Sequence, residues 1–506
     1  MKIGMTYIKG ALPGFETFGN LPTDIVKSNG LVNGVPANKE LDGLIIPGGS
    51  IVESESITND LAIEIKKMAN DGKLIFGICS GFQVISSSTD IGRNSPFPIV
   101  KEGLNLLDVN FSPMISNDRV EAYSLNESFL TDGVVEPILG FHCHTYGKIS
   151  TNNKIIIKSR LKRANYDNVD LETISGVIND DGNVVGTMVH GILDNNPQIL
   201  NNIFKFLDAN DEDIENIYSH NKEFKIAISK ELGVGTGIAI EKDKEFINKL
   251  NTHHNSENKV PPALFIGSTS SDSGKTFITT GLAAALRKKG LNIAILKIGS
   301  DIRDTVPGLY LTNGLMEEYA SIKIGHLGWK DLREVLFSLK NSYYDFVLIE
   351  GAMSILIGFL KDIIPYSGAE IAISSDIPLL LVESVSKGGI ESSAVNLISY
   401  INFLKKLGIN VNGAILNKVY DQDLFNKINN KVKKETNLDN LIAVPKIKLP
   451  DRGATPEVEI SLEDFSLVAL KTVEGHIDLE NIIKMANKPK FKKYLAIEEI
   501  NRLFGV

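Results

Sequence analysis

The stretch that decides the fold reads Leu264-Phe265-Ile266-Gly267-Ser268-Thr269-Ser270-Ser271-Asp272-Ser273-Gly274-Lys275-Thr276. Its first three residues are an apolar run typical of a buried strand. A polar loop ending in Gly-Lys-Thr follows, and the pattern then predicts a helix over 277–289. Such a loop presents backbone N–H groups, a lysine and a hydroxyl to phosphate groups. We predict a phosphate-binding loop here, although Thr269 stands where the usual pattern has a leading glycine.

Four more apolar runs predict buried strands at 293–296, 346–349, 378–382 and 413–416. Their alternation with helix-period segments predicts a parallel sheet covered on both faces. Glu350 follows the second run, at the carboxyl edge where open α/β sheets bind ligands. We predict that Thr276 and Glu350 bind Mg²⁺. The residues predicted to bind ATP in the loop are Ser271, Asp272, Ser273, Gly274, Lys275 and Thr276.

A second chemical motif, Gly77-Ile78-Cys79-Ser80-Gly81, lies near the amino terminus. It follows an apolar run at 73–76 and resembles the sharp strand-to-helix elbow that exposes a nucleophile between small neighbours. A helix amino terminus behind Cys79 favours its thiolate, which is the reactive form. We therefore predict that Cys79 is a catalytic nucleophile.

A cysteine nucleophile needs a base and donors for the developing oxyanion. His190, at the end of a predicted strand over 184–189, is the predicted base. The loop Pro47-Gly48-Gly49-Ser50 ends another predicted strand, at 43–46, and a helix is predicted over 61–70. We predict that the backbone N–H groups of Gly48, Gly49 and Ser80 form the oxyanion site.

The bulk composition is that of a multidomain globular protein. The 506 residues exceed what one core usually organises, and the net charge of −9 argues against nucleic acid or an anionic membrane as partner. No apolar run is long enough to span a bilayer, and no signal peptide is expected. With two cysteines, Cys79 and Cys143, no disulfide framework is expected, which fits a reducing cytoplasm. Homo-oligomerisation is left open.

The domain boundaries follow the change in pattern along the chain. The α/β alternation fades after residue 208, and 209–261 is charged and Asn-rich, with helices predicted near 213–217 and 243–250. We predict a first domain at 1–208, a helical connector and polar linker at 209–261, a second domain at 262–488 and a helical tail at 489–506.

The order Pro-Gly-Gly-Ser at 47–50, Gly-Ile-Cys-Ser-Gly at 77–81 and Val-His-Gly-Ile at 189–192 resembles a class I glutamine amidotransferase domain of the cobyric acid synthase type. The resemblance covers residues 1 to about 205. It implies a flavodoxin-like domain that releases ammonia from glutamine with Cys79 and His190. Common class I domains carry His-Pro-Glu, and this chain lacks that glutamate. The partner that orients His190 is therefore open, with Asp194 as one candidate.

The segment Phe141-His142-Cys143-His144 resembles a family segment near the amidotransferase site. His144 occupies the family's histidine position, whereas His142 stands where the family has glutamate. A metal site formed by 142–144 is the alternative interpretation. Adjacent residues of a strand point to opposite faces, which disfavours three shared ligands.

The phosphate loop resembles that of dethiobiotin synthetase and of the cobyrinic and cobyric acid synthases, which implies a second α/β domain of P-loop NTPase type. The segment 297–304 resembles a cobyrinic acid diamide synthase signature, with serine in place of its proline. That match implies that Lys297, Asp301 and Asp304 face the substrate carboxyl, phosphates or metal. Asn417 and Lys418 match the position where the family contacts adenine.

Together the resemblances imply the cobyric acid synthase / cobyrinic acid a,c-diamide synthase family, with the domain order reversed. The implied activity is glutamine-hydrolysing, ATP- and Mg²⁺-dependent amidation of a carboxylate through an acyl phosphate, on a corrinoid or related tetrapyrrole of cobalamin biosynthesis. Two alternatives stay open. One is amidation of another carboxylate, such as a cell-wall precursor, and the other is a regulatory ATPase that senses glutamine.

Overall fold

The computed structural model describes residues 1–6, 16–49, 57–93, 95–165, 167–231, 243–254, 260–299, 302–314, 321–322, 332–340, 342–360, 367–385, 388–448, 462–491 and 496–506. These residues form two compact units. The described residues of Met1–Gly237 and of Pro450–Asp464 belong to the first unit. Those of Ile238–Leu449 and Phe465–Val506 belong to the second. Both units are α/β folds, so the predicted fold class is confirmed.

The first unit combines strands and helices in nearly alternating order. Its strands are β1 (Ile3–Thr6), β2 (Asp24–Val26), β3 (Leu31–Val32), β4 (Val35–Pro36), β5 (Gly43–Ile46), β6 (Leu74–Ile78), β7 (Ser88–Asp90), β8 (Val100–Glu102), β9 (Val109–Ser112), β10 (Ser116–Ser124), β11 (Ile138–His144), β12 (Lys148–Thr151), β13 (Lys154–Ala164), β14 (Asp167–Ile178) and β15 (Val184–Thr187). Its helices are α1 (Ala37–Glu40), α2 (Asn59–Asn70), α3 (Ser80–Ile85), α4 (Ile192–Asn195), α5 (Pro197–Phe206) and α6 (Asp211–Glu231), with a 3₁₀ turn at Phe18–Asn20.

The main sheet of the first unit contains nine strands in the described part of the chain, in the order β11-β10-β13-β14-β15-β6-β5-β1-β2. The five strands from β15 to β2 pair in parallel, whereas β14, β13, β10 and β11 are antiparallel. The parallel part has the strand order 2-1-3-4-5 of flavodoxin-like sheets. β5 and β6 are buried along their whole length, because helices cover both faces of a parallel sheet.

The parallel strands bring the predicted catalytic segments to one edge of the sheet. β5, β6 and β15 are neighbours, and Ile46 pairs with Gly77 while Thr187 pairs with Ile78. The residues that follow these strands, Gly48, Cys79 and His190, therefore emerge side by side at the carboxyl edge. Short predicted strands at 43–46, 73–76 and 184–189 are confirmed as β5, β6 and β15 within a few residues.

The antiparallel half of this sheet was not predicted from the sequence. A smaller sheet, with β12, β9, β7 and β8 in that order, and a β3–β4 hairpin complete the strands described in this unit. Helix α6 packs against the same unit through buried Ile217 and Phe224, and the Asn221 side chain donates a hydrogen bond of 2.8 Å to the carbonyl of Pro22. Part of the predicted 209–261 connector is thus a component of the first unit.

The second unit carries its strands in the order of the chain as β16 (Ala263–Ser268), β17 (Ile293–Ile298), β18 (Ser321–Ile322), β19 (Phe346–Glu350), β20 (Leu379–Ser384), β21 (Val411–Val419) and β22 (Leu441–Pro445). Its helices are α7 (Lys244–His254), α8 (Lys275–Lys288), α9 (Val306–Thr312), α10 (Leu332–Ser338), α11 (Gly368–Ser375), α12 (Gly389–Lys406), α13 (Gln422–Thr436), α14 (Leu462–His476), α15 (Leu479–Met485) and α16 (Ile497–Phe504), with a 3₁₀ turn at Ile302–Thr305. The boundary between the units falls in the first turn of α14, after Asp464.

The described strands of the second unit form one parallel sheet in the order β18-β17-β19-β16-β20-β21-β22. β16 lies at its centre and leads through the phosphate loop into α8, as the sequence predicted. The tail helix α16 inserts Ile500 into the hydrophobic core of this unit. α7 joins the unit through a Lys249–Glu480 ion pair of 2.7 Å, so the predicted linker is helical as far as His254.

Among the described residues, we find no helix with both the length and the apolar character needed to cross a membrane.

Candidate active sites

Cys79 lies on a strained turn between β6 and α3. Its φ of 51° is in the left-handed region, which only a tightly determined turn imposes on a cysteine. The turn depends on its glycines, because a Cβ on Gly81 would lie 1.9 Å from the carbonyl oxygen of Ile46. One on Gly77 would lie 2.8 Å from the carbonyl oxygen of Gly81. The glycine spacing of the motif thus reflects the packing of α3 against the strand ends.

His190 lies beside Cys79, as predicted. A Cβ on Gly48 would be 2.6 Å from Cε1 of His190 and 3.3 Å from Cβ of Cys79, so the three residues meet at one point. Burial opposes protonation of His190, but the charges of Glu16 and Cys79 outweigh it and raise the pKa of His190 to about 10. The arrangement favours the protonated, imidazolium form of His190 beside Cys79.

The carboxylate that orients His190 is Glu16, which the sequence did not identify. One Glu16 oxygen contacts Nδ1 of His190, and the other accepts a 3.0 Å hydrogen bond from the backbone N–H of Gly191. Both side chains are 2% exposed. The missing family glutamate is therefore replaced by a carboxylate from a distant segment. With Nδ1 bound to Glu16, Nε2 is the nitrogen that faces the cysteine.

Asp194, the candidate suggested from the sequence, does not contact His190 in this way. Its carboxylate accepts hydrogen bonds from the backbone N–H groups of Thr17 and Gly19, at 2.9 and 2.7 Å, and from the Thr17 hydroxyl. These contacts fix the turn directly after Glu16. Asp194 therefore fixes the position of the segment that carries Glu16.

The segment 141–144 is the last part of β11, and its side chains alternate between the two faces. His142 and His144 share one face, with ring centroids 4.8 Å apart. His142 is fully buried between the hydroxyls of Ser116 and Ser175, and burial lowers its pKa. Cys143 points to the opposite face. In the described ranges, no group of three His, Cys, Asp or Glu side chains is arranged to hold a metal.

The predicted oxyanion donors lie where the motif requires them. Gly48 and Gly49 follow β5, and Gly49 has a φ of 123° that favours glycine. Ser80 is the first residue of α3, so its N–H lies at a helix amino terminus next to Cys79. Ser50 falls outside the described residues. The oxyanion role of these groups stays a prediction.

Hydroxyl groups hold the phosphate loop of the second unit in shape. The Ser268 and Ser273 hydroxyls donate to the carbonyl of Ser270 at 2.7 and 2.8 Å. Gly274 has a φ of 90°, and a Cβ there would lie 2.3 Å from Nδ2 of Asn417. The loop backbone therefore needs glycine at this position. Asp272 also has a positive φ, of 55°.

The predicted nucleotide residues are gathered around this loop. Asn417 donates to the carbonyl of Ser273 at 2.8 Å, and Lys418 donates to that of Asp272 at 3.0 Å. Lys275 donates to the Ser268 hydroxyl and to the carbonyl of Met353, both at 2.8 Å. Burial and the charge of Lys297 lower the pKa of Lys275 to about 8. Ser271 is exposed on the loop.

A buried charge cluster lies beneath the loop. The Thr276 hydroxyl donates to Oε1 of Glu350 at 2.7 Å, and Lys297 donates to the same oxygen at 2.8 Å. Lys297 also pairs with Asp304. Burial opposes a charge on Lys297, but Glu350 and Asp304 raise its pKa. The predicted substrate residues Lys297 and Asp304 therefore belong to one network, whereas Asp301 lies outside the described residues.

Glu350 and Thr276 fit a divalent cation. Oε2 of Glu350 is buried and has no hydrogen-bond partner in the part of the chain that the structure describes. Burial raises the pKa of Glu350, and the charge of Lys297 reduces this increase. A carboxylate oxygen beside a hydroxyl is the kind of donor set that Mg²⁺ accepts. Both residues lie at the carboxyl edge of the sheet, where ligands bind.

Thr269, the departure from the usual loop pattern, makes contacts of its own. Its hydroxyl donates to Glu383, which is 6% exposed and also accepts a 3.0 Å hydrogen bond from Asn396. Tyr400 donates to the carbonyl of Thr269 at 3.0 Å. The sequence offered one signal for this clamp, which was the threonine in place of glycine.

A cavity of about 460 Å³ opens at the opposite, amino-terminal edge of the first unit's sheet and is lined by Met1, Asp42, Lys73 and Asp213 among others. These residues precede or begin β1, β5 and β6 or belong to α6, whereas Cys79 follows β6. Ligands of open α/β sheets bind at the carboxyl edge. We therefore place the chemistry at the Cys79 edge and not in this cavity.

The folds and sites define a glutamine amidotransferase domain followed by a P-loop nucleotide-binding domain. The CobB/CobQ-like glutamine amidotransferase domain family matches residues 12–198, and the CobQ/CobB/MinD/ParA nucleotide binding domain family matches residues 264–459. Each match covers less than half of the chain, and the stretch that matches the amidotransferase family comes first. The resemblance inferred from the motifs is thereby confirmed.

Curated relatives match parts of the chain. Cobyrinate a,c-diamide synthase from Dehalococcoides mccartyi is 30% identical over 232 residues, which are 44% of this chain and 48% of that protein. Cobyric acid synthase from Clostridium botulinum is 33% identical over 162 residues, 31% of each chain. The solved structure of PurLQS from Thermotoga maritima aligns with 41% of this chain and 99% of that chain, at 20% identity and a TM-score of 0.30. The chain spans about half the length, or less, of these curated relatives.

Proposed function

We propose that the protein is a glutamine-hydrolysing, ATP-dependent amide synthase whose acceptor is a carboxylated tetrapyrrole of the corrinoid type. The observation that carries the proposal is the presence of two candidate sites on one chain. The first unit holds Cys79, His190 and Glu16 together, and the second holds Lys275, Thr276 and Glu350 together. One arrangement suits release of ammonia from an amide, and the other suits phosphoryl transfer.

At the first site the Cys79 sulfur bonds to the side-chain carbonyl carbon of glutamine. His190 gives its Nε2 proton to the departing nitrogen, and the carbon–nitrogen bond breaks. Ammonia departs, and a γ-glutamyl thioester remains on Cys79. His190 then takes a proton from water, which hydrolyses the thioester to glutamate. Glu16 keeps the imidazole oriented and stabilises its cationic form throughout, which is the role of the carboxylate in such triads. The N–H groups of Gly49 and Ser80 receive the oxyanion.

At the second site a carboxylate oxygen of the acceptor attacks the terminal phosphorus of ATP, and ADP leaves. Ammonia attacks the resulting acyl phosphate at its carbonyl carbon, and inorganic phosphate departs to leave a carboxamide. Lys275 and the loop N–H groups hold the phosphates, and Lys297 neutralises nearby negative charge. Thr276 and Glu350 would hold Mg²⁺, which neutralises charge on the phosphate oxygens when it is bound.

The acceptor class rests on the relatives. The curated proteins that match are named for products of corrinoid amidation, and the family of the first domain is CobB/CobQ-like. Lys297 and Asp304 match signature positions whose residues are expected to face the acceptor carboxyl, the phosphates or the metal. We take cobyrinic acid as the first acceptor to test.

The testing experiment follows glutamate and ADP together. Purified protein receives glutamine and Mg·ATP, with or without cobyrinic acid, and the corrinoid product is examined by mass spectrometry for the exchange of a carboxyl for a carboxamide. We expect glutamate and ADP to be released in step with amide formation. Glutamine hydrolysis at a rate that the corrinoid does not change would support the amidotransferase activity and refute the corrinoid as acceptor. ADP release without any glutamate would favour a regulatory ATPase.

A single substitution separates the two sites. Cys79→Ser should abolish glutamine-dependent amidation and leave amidation from free ammonium intact, because the second site needs only ammonia. Retention of glutamine-dependent synthesis by Cys79→Ser would contradict the proposal. Loss of the ammonium reaction as well would mean that the substitution damaged more than the first site, which circular dichroism and ATP binding would reveal.

A further inference from the structure

The antiparallel strands β10 and β11 present two faces that differ in burial. Ser116, Asp118, His142 and His144 point to the first face and are buried. The second face, called the cleft face below, carries Asn117, Arg119, Phe141 and Cys143. Arg119 and Cys143 are half-exposed, whereas Asn117 and Phe141 are buried. Cross-strand pairing places Asn117 opposite Cys143 and Arg119 opposite Phe141.

The cleft face continues directly into the amidotransferase site. Phe141 pairs with His190 across an antiparallel bridge, and their rings stack with centroids 5.2 Å apart. Side chains paired across antiparallel strands lie on the same face, so His190 extends the cleft face. The carbonyl oxygen of Cys143 lies 3.6 Å from Sγ of Cys79. Asn117, opposite Cys143, is therefore one residue pair away from the nucleophile.

Asn117 carries an unused recognition group. It is 7% exposed, and its Oδ1 and Nδ2 are both buried without a hydrogen-bond partner anywhere in the described residues. Other buried asparagines of this unit are paired, since Asn196 exchanges hydrogen bonds with the backbone of Leu139 and Asn202 donates to the carbonyls of Leu130 and Asp132. Burying an unpaired amide destabilises a protein, so the position is costly unless the amide binds a ligand.

We propose that Asn117 binds the amino acid end of glutamine, an inference that rests on the proposed function. The scissile amide must lie at Cys79, with its oxygen toward the oxyanion donors. The α-amino and α-carboxylate groups are at the other end of the substrate, and we place them on the side of the Cys143 carbonyl, which lies next to Sγ of Cys79. Paired side chains on adjacent antiparallel strands have Cβ atoms about 5 Å apart, so Cβ of Asn117 lies at about that distance from Cβ of Cys143.

The carboxamide matches the chemistry of this end of the substrate. Oδ1 accepts a hydrogen bond from the α-ammonium group, and Nδ2 donates one to the α-carboxylate. An amide without these α groups, such as butyramide, satisfies neither atom of Asn117. Asn117 thus selects a free amino acid over simple amides, and it acts on binding more than on the chemical step.

The test compares steady-state glutaminase kinetics of Asn117→Leu with those of the unaltered protein. Leucine has a similar size but no hydrogen-bonding group. We expect the KM for glutamine to rise by about tenfold to a hundredfold, with a much smaller change in kcat. Hydrolysis of butyramide should be unchanged. Thermal stability should stay equal or increase, because the substitution removes an unpaired buried amide.

Two further variants sharpen the comparison. Asn117→Asp keeps the shape but sets a negative charge beside the α-carboxylate, so its KM should rise at least as much. Glu121→Ala alters an exposed residue on the same side of β10 and should leave KM unchanged. An unaltered KM in Asn117→Leu overturns the inference, and so does an equal loss of glutamine and butyramide turnover.

Binding measurements keep this inference separate from the proposed function. Calorimetry measures glutamine affinity of the Cys79→Ser protein with and without Asn117→Leu. Weaker glutamine binding in the double variant supports the role of Asn117, even if the unaltered protein shows no turnover. A lack of turnover by itself refutes only the proposed function. Equal binding in both proteins overturns the role of Asn117, whatever the catalytic result.

Discussion

Replacing Glu16 by glutamine removes one negative charge beside His190 and preserves the size of the side chain. The two side chains are each 2% exposed, so water screens their interaction little. The pKa of His190 is about 10 against an ordinary value of 6.5. The folded surroundings therefore favour the imidazolium by roughly 5 kcal/mol, in spite of burial. Glu16 and Cys79 both contribute to this preference.

Glu16→Gln should lower the glutaminase kcat by about a hundredfold to ten-thousandfold, because general acid–base catalysis by a positioned imidazole contributes that range. The pH dependence gives a second readout. The unaltered enzyme should lose activity at high pH near the His190 pKa of about 10, as His190 loses the proton that it gives to ammonia. In Glu16→Gln the pKa of His190 falls, so this alkaline limb should move to lower pH.

The assay measures glutamate release in steady state from about pH 6 to about pH 11. Glu64→Gln is the matched control, because Glu64 is also buried and accepts a backbone hydrogen bond, at 3.2 Å from Asn38, away from the catalytic cysteine. It should retain activity and the same alkaline limb. If Glu16→Gln folds normally and keeps both its kcat and its pH profile, Glu16 does not orient His190 and the reasoning is refuted.

Three other predictions follow from the same geometry. The raised pKa of His190 stabilises the fold fully below pH 6.5, and this contribution is lost as pH rises to about 10. The free energy of unfolding measured with urea should therefore fall over that pH range, and it should fall less in Glu16→Gln than in the unaltered protein. Because the pKa of Lys275 is about 8, calorimetry should find that ATP binds more weakly above that pH. An ATP affinity that does not change up to roughly pH 9.5 would contradict the role of Lys275. Gly81→Ala would place a methyl group 1.9 Å from the carbonyl oxygen of Ile46, and denaturant titration should show a loss of about 3 kcal/mol; unchanged stability would mean that the elbow adapts freely.

Much of the fold follows from local patterns in the sequence. The apolar runs that became β5, β6, β16 and β19 were recognisable because parallel strands are buried on both faces and need continuous apolar residues. The phosphate loop and the cysteine elbow were recognisable because tight turns demand glycine at set positions. The antiparallel strands β10 to β14 escaped prediction; β10, for example, carries polar residues along most of its length, and several of them are buried, so it lacks the apolar run of a parallel strand.

The sequence by itself determined the two α/β domains, the cysteine elbow, the strand that ends at His190 and the phosphate loop, since short segments encode each of them. Only the tertiary structure decided which groups complete the sites. Glu16 meets His190 across 174 positions, and Thr269 meets Glu383 across 114. Asn117 lies opposite Cys143 through strand register, and the carbonyl oxygen of Cys143 lies 3.6 Å from Sγ of Cys79. Such contacts depend on strand order and register, and these come from packing the whole sheet and not from the preferences of any local segment.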